Sequence, residues 1–462
     1  MQQPAQTGEA PYASPARAWY LIGVLVLAYT FSFIDRQILG LLVTPIKRDL
    51  GISDFEVGLL GGLAFALFYT FLGLPIGRLA DRANRRNIIV AGIVVWSLMT
   101  AACGLAKNFW TLFLARMGVG VGEAALSPPA YSLIADTFPP DKLARALSVY
   151  SMGIFIGSAL AYIVGAGVVQ AVDTAPPVTI PVFGEIHAWQ LTFFIVGLPG
   201  ILVALLMLTV REPARRGVLK TKRADGTEGI DSLPLRDVLA FVRKNGKTYG
   251  AHFVSFALLA VFGYGTALWI PEFIRRSYGW EIYDAGYAYG FIILIFGIGG
   301  VFFGGWFCDW MRARGRTDAN MRGTMMAAVA LAPCAILFPL AGSVEIALVV
   351  LAGAVFFGAM PTGAAAAALQ AVTPNQMRAQ VSALYLFTVN LIGMGVGPGL
   401  VGFFTDFVFG DTNQLYLSLV LTAAITIPPA ALLLAWGLKH YRKSLAENDA
   451  RIEAAAAATA PA

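Results

Sequence analysis

Charge is scarce in this chain: of its 462 residues, 13% are Asp, Glu, Lys or Arg, against 58% that are hydrophobic. A water-soluble globule of that composition has too little polar surface to face solvent, so a soluble fold is excluded and lipid must serve as the solvent. Cysteine is almost missing. Cys103, Cys308 and Cys334 lie in or beside apolar runs, at spacings that make neither a disulfide framework nor a zinc site, which leaves them packing roles. Histidine is equally rare, and His187, His252 and His440 are too scattered to hold a metal. No G-x-x-x-x-G-K phosphate loop occurs, which argues against an enzyme and against an ATP-driven pump, and no cofactor is expected.

What the chain has in abundance is long apolar runs. Twelve approach the roughly 20 residues that cross a bilayer core of about 30 Å. They centre on 19–45, 54–77, 87–106, 109–137, 143–171, 189–210, 248–274, 283–308, 322–342, 345–370, 379–407 and 414–438. No small-residue cleavage site follows the first, so it reads as a retained helix and not a signal peptide.

Orientation follows from the basic residues. With both termini in the cytoplasm, 26 of the 33 Lys and Arg fall on that side. They are Arg17, four in the second-to-third loop, two in the fourth-to-fifth, ten between Arg211 and Lys247, four in the eighth-to-ninth, Arg378 and four in the tail. Five lie on the other side: Lys47, Arg48, Lys107, Arg275 and Arg276. Arg36 and Arg116 are within the membrane. The net charge of +6 is therefore a topogenic signal and needs no nucleic-acid partner. The expected setting is the inner membrane, and the expected state a monomer among membrane lipids.

The segment 211–247 divides the spans six and six. This gives a disordered N-terminus over 1–16, a six-helix bundle over 17–210, a cytoplasmic linker over 211–247, a second six-helix bundle over 248–441, and a tail over 442–462. Within the linker, Ser232 is placed to cap a short amphipathic helix with Leu235, Val238, Leu239 and Val242 on one face, a pattern suited to the inner leaflet.

The halves repeat. Between the second and third runs stands GRLADRANRR, Gly77 to Arg86, echoed by GGWFCDWMRARG, Gly304 to Gly315. Likewise PDKLARALS, Pro140 to Ser148, resembles PNQMRAQVS, Pro374 to Ser382. The fifth and eleventh runs are rich in glycine, which serves either close helix packing in lipid or bending. The first hairpin carries G-x-x-x-D-R-x-x-R-R at Gly77, Asp81, Arg82, Arg85 and Arg86, and its echo keeps Asp309 but has Trp310 in place of an arginine. On these motifs the chain resembles the major facilitator superfamily over about 17–441. The resemblance implies an all-α membrane fold of twelve helices in two pseudo-symmetric bundles. The hairpins then form a cytoplasmic gate, with Asp81 at a helix N-terminus and arginines paired with acids such as Asp136. A loop that merely fixes topology is the bland alternative.

Four charges lie inside apolar spans: Asp35 and Arg36 on the first, Arg116 and Glu123 on the fourth. Such groups are costly in a membrane and point to function. Arg116 and Glu123, seven apart, share one helix face about 10 Å apart, and Asp35 and Arg116 differ in depth by about 5 Å. The charges sum to zero, so a structural salt-bridge cluster and a proton-coupling site both fit. The stretches FIDRQ (Phe33 to Gln37) and RMGVGVGEA (Arg116 to Ala124), followed by Ser127-Pro-Pro129 and Ile134-Ala-Asp136, resemble the Spinster branch of the superfamily. That resemblance implies transport of sphingoid or lysophospholipid-type amphiphiles, with Asp35 and Glu123 in proton coupling and Arg116 in the same network.

The second half has no ionisable pair in mid-membrane. An offset of 234 puts Trp269 where Asp35 stands, and the expected cavity wall offers Tyr264, Trp269, Phe273, Tyr385 and Asn390. A charged wall facing an aromatic one suits a ligand with an ionic head and an apolar tail. The expected function is a proton-coupled secondary transporter of an amphiphilic, lipid-like substrate; the alternative is a proton-coupled drug or small organic anion carrier.

Overall fold

The computed structural model describes residues 12–80, 82–172, 178–180, 184–215, 221–222, 228–229 and 234–459. Within them, twelve helices are long and apolar enough to cross a membrane. They are α1 (Pro15–Leu41), α2 (Asp54–Ala80), α3 (Arg85–Cys103), α4 (Phe109–Thr137), α5 (Arg145–Val172) and α6 (Ala188–Leu208) in the first half. The second half has α7 (Gly246–Tyr278), α8 (Ile282–Ala313), α9 (Ala319–Leu340), α10 (Val344–Ala371), α11 (Arg378–Phe409) and α12 (Thr412–Arg451). In the first bundle α1 packs on α5, and α4 on both α2 and α3; in the second α7 packs on α11 and α12, and α9 on α12. An even number of crossings leaves both termini on one face, with the basic hairpins; the opposite face is called distal below.

Several boundaries differ from the sequence expectation for identifiable reasons. The first helix starts earlier, because Pro15 takes the first helical position, where a missing N–H costs nothing. Residues 15 and 16 are therefore helical, and residues 1–11 lie outside the described residues. It also ends earlier: a 3₁₀ turn over Ile38–Leu41 closes it, and a separate helix, Val43–Leu50, follows with Pro45 in its first turn. At the other end, the helix that begins at Leu415 continues to Thr459, so the expected tail is a helical extension of α12. Its Ala454–Ala458 run has the highest intrinsic helix propensity of any residue type. In the linker a helix covers Leu235–Lys244, preceded by Pro234; Ser232 lies outside the described residues.

Three spans of the first bundle are broken, α6 at Leu198–Pro199 and two others beside the intramembrane charges. The α2 helix breaks at Gly62, and α4 breaks at Ala124–Leu126, ahead of the proline pair Pro128 and Pro129. The breaks in α2 and α4 frame the four intramembrane charges.

The halves meet through α2 against α11 and α5 against α8. Approach is close enough that a Cβ on Gly58 would overlap the Pro398 carbonyl, and one on Gly402 the Asp54 carbonyl. The glycines of α5 also pack: a Cβ on Gly157 would stand 3.1 Å from that of Phe33. In α11, π-helical turns at Asn390–Met394 and Phe404–Phe409 supply the irregularity.

Candidate functional site

The four intramembrane charges divide into two arrangements. Arg36 donates to Glu123 at 2.5 Å, and the Ser32 hydroxyl donates to the same carboxylate oxygen at 2.6 Å. Around the guanidinium stand three rings of the first half, with centroids at 4.5 Å (Phe65), 4.9 Å (Phe33) and 5.1 Å (Tyr69). Aromatic faces attract a cation most strongly where water is scarce. Tyr264 of α7, in the second half, is partly buried against the apolar core. Glu123 is fully enclosed, while the Arg36 side chain keeps 10% of its surface accessible.

Arg116 does something else. It is fully buried and donates to the backbone carbonyls of Asp35 (2.9 Å), Arg36 (3.4 Å) and Leu60 (3.4 Å). The first two are the final carbonyls of the α-helical part of α1, where the macrodipole favours a cation; the third lies just ahead of the break at Gly62. Arg116 therefore fastens two helix ends together. Its described bonds to α1 run to backbone carbonyls, and none to the carboxylates of Asp35 or Glu123 is among the described contacts.

Asp35 is also wholly buried, and neither of its carboxylate oxygens has a hydrogen-bond partner. The second oxygen of Glu123 is likewise unpartnered. Unpaired buried polar groups are rare in folded proteins and ask for an explanation.

The aromatic wall is not confined to the second half. Besides the rings around Arg36, Tyr29 stacks on Tyr150 at 5.0 Å, and Tyr131 meets Tyr150 edge-on at 5.4 Å. Two residues expected at the cavity are core instead. Trp269 is fully buried with its indole N–H on the Pro398 carbonyl (3.0 Å), and Phe273 is buried between Tyr278 and Phe338. Tyr385 packs among His252, Phe253 and Phe256, and Asn390 opens the first π turn of α11.

On the face of the termini, Arg85 is a fully buried hub. It donates to Asp136, Glu212 (2.7 Å), Ser132 (2.8 Å) and the Pro213 carbonyl (3.1 Å), tying α3 and α4 to the start of the linker. Arg86 donates through its backbone to Glu212 at 3.0 Å. Asp81 lies outside the described residues, Arg82 is exposed, and Gly77 has only Pro128 near its Cβ position, at 3.8 Å. In the echo, Asp309 pairs with Arg312 at 3.0 Å while 75% exposed, and Arg314 stacks 3.8 Å above the Trp310 ring. Each of these ties stays within its own half.

Polar ties between the halves concentrate near the distal face. Arg276 of α7 grips Asp54 of α2 with two bonds, at 2.7 and 2.9 Å, and donates to Glu272 at 2.6 Å. Thr44 donates to Glu272 (2.8 Å), Lys47 to Asp54 (2.5 Å), and the Phe55 backbone to Asp406 (2.6 Å). Both Asp54 and Glu272 are fully buried. Sequence reasoning assigned these basic residues to topology alone. Acids and bases gathered at the distal ends of α1, α2 and α7 were the available signal, but pairing across halves is not visible in a linear spacing.

A sequence model of the Major Facilitator Superfamily matches residues 25–398. The chain is 27% identical to an MFS-type efflux pump of Mycolicibacterium smegmatis, over 97% of this chain and 99% of that protein. It is 33% identical to human protein spinster homolog 1 over 57% of this chain, and spans about half of that protein, 47%. It is 26% identical to the sphingosine-1-phosphate transporter of Xenopus tropicalis over 85% of this chain and 74% of that one. Among solved structures, a bacterial homologue of the human lysosomal transporter Spinster, inward-facing and unoccupied, superimposes with a TM-score of 0.73 at 27% identity, covering 94% of this chain and 99% of that one. The family match runs through both bundles and both basic hairpins, and the chain belongs to the major facilitator superfamily as a transporter, with its likeness to Spinster proteins a similarity within that superfamily.

Proposed function

We propose that the protein is a proton-coupled secondary transporter moving a sphingoid or lysophospholipid-type amphiphile by alternating access. It acts as a monomer in the inner membrane with both termini in the cytoplasm, so the distal face is the outer one. The observation that carries this reading is the buried Arg36–Glu123 pair, ringed by Phe33, Phe65 and Tyr69. An anionic head group and the Glu123 carboxylate compete for one guanidinium. Protonating Glu123 releases Arg36 to the substrate, and losing that proton returns Arg36 to Glu123 and frees the substrate. Asp35, buried with no described hydrogen bond to either carboxylate oxygen, is the second proton carrier of this reading. The name of the Xenopus relative, a sphingosine-1-phosphate transporter, fits an anionic head on an apolar tail.

Full-length similarity to an efflux pump favours a second reading, a proton-coupled carrier of drugs or small organic anions. Proteoliposomes enclosing a pH dye, offered lysophospholipids, sphingoid bases and compact organic ions in turn, separate the two. Amphiphile-dependent proton movement supports the first, movement with compact ions alone the second, and movement with none refutes both.

A further inference from the structure

Two adjoining cavities at the distal face differ in chemistry, the first cationic and the second richer in apolar side chains. One, of about 370 Å³, is lined by Lys47, Arg48, Arg275 and Arg276 with Thr412 and Asn413, drawn from both halves and with no acidic residue in its lining. The other, of about 250 Å³, runs between Leu41, Pro45, Val172, Ala188 and Ile282, with Glu272 and Glu281 also in its lining. They share Thr44, Arg48 and Arg275, so the cationic chamber opens directly onto the apolar groove. Together they fall in the range of about 300–1,000 Å³ typical of small-molecule sites.

The donors of the chamber are only partly used. Arg275 spends its Nε and one terminal nitrogen on Glu272 and Thr44, leaving the other terminal nitrogen without a described partner. Arg48 pairs with Asp49 through Nε alone, and its side chain is 73% exposed. Asp54 and Glu272, the acids beneath, are already held by Arg276, Lys47 and Arg275, so they neutralise part of the charge without offering it a free ligand. The acidic rim residue Glu281 is exposed at the groove, away from the chamber.

We propose that this paired cavity is a second, outer-face site for an anionic amphiphile. Its phosphate or carboxylate head sits on Arg48 and Arg275, and its chain lies in the groove between α1, α5 and α8. The site is separate from the Arg36–Glu123 cluster and stands whether or not that cluster couples protons. Because its cations come from both halves, an occupant ties them together on the closed side. An outer-leaflet phospholipid and a single-chain amphiphile share this chemistry.

The test is photo-crosslinking with a diazirine-bearing oleoyl lysophosphatidate, in nanodiscs of phosphatidylcholine alone and with phosphatidylglycerol, followed by peptide mapping. Labels are expected on Val43–Leu50 and on the distal ends of α5 and α8. Arg48→Gln should lower that labelling about tenfold through loss of a charge-assisted contact. Ala188→Trp, which fills the groove from a half-buried position, should lower it with Arg48 intact. Labelling suppressed by phosphatidylglycerol assigns the site to leaflet lipid, and labelling that persists assigns it to the single-chain amphiphile. Equal labelling by the uncharged monooleoylglycerol analogue, displacement by inorganic phosphate alone, or labels confined to the central cavity would overturn the proposal.

Discussion

Neutralising Asp54 should unlatch the outer face. In the described conformation its carboxylate takes two bonds from Arg276 across the bundle interface and one from Lys47, all in a fully buried position. Asp54→Asn removes the charge while keeping the shape. Arg276 retains Glu272 and the Thr412 carbonyl, so the loss is smaller than the 3–5 kcal/mol of stranding a buried ion outright. A value of about 2 kcal/mol, within the range for hydrogen bonds to charged groups, is the fair expectation. Any state in which the halves part at the distal face lacks this bond. The whole cost therefore falls on the outer-closed state and moves the equilibrium about thirtyfold toward opening. Spin labels on the exposed distal residues Lys107 and Glu345, in a cysteine-free background, report the separation of the halves. The variant should populate a longer distance that the parent lacks. An unchanged distribution in a variant of normal thermal stability would refute the latch.

Three further expectations follow from the same geometry. Arg116→Gln leaves three buried carbonyls without their donor, costing about 3 kcal/mol or more, so its thermal midpoint should fall well below that of the double variant Arg36→Gln/Glu123→Gln, which strands no buried charge and should mainly weaken substrate binding; the reverse order would contradict the assigned roles. Arg85→Lys cannot reproduce a fork that serves Asp136, Glu212, Ser132 and Pro213, so it should destabilise the first bundle by several kcal/mol and expose the start of the linker to protease; a protease pattern like the parent's would argue against the hub. Burial opposes the charge of Asp318, but bonds and charge from Arg322, with Arg442, outweigh it and hold the carboxyl below the usual range. Its contribution is thus complete above about pH 4 and lost as pH falls through the lowered value, and Asp318→Asn should flatten the acid limb of the stability profile measured by thermal shift.

How much of this was legible in the sequence depends on the range of the interaction. Apolar runs and the placement of Lys and Arg are local or additive signals, and they located twelve spans and two hairpins. The pairing of Arg85 with Asp136 followed from a motif. Arg116 and Arg36 have the same charge and similar depth, and what separates their roles is the end of α1 and the break at Gly62, features of the fold and not of spacing. Trp269 sits at the repeat position of Asp35, but the close approach of α7 to Pro398 turns it into core. The distal latch joins Thr44 to Glu272 and Asp54 to Arg276 across more than two hundred residues, beyond any periodicity. The helical continuation of α12 was the exception: its alanines carried the signal, masked by the polar residues before them.

The central claim is that Asp35 and Glu123 carry the protons that drive transport. It is tested most directly by proton flux in proteoliposomes containing the double variant Asp35→Asn/Glu123→Gln, driven by a gradient of the amphiphile that the parent transports. The account predicts that substrate-dependent proton movement disappears while substrate still binds and exchanges down its gradient. Parent-like proton movement in the double variant would contradict it.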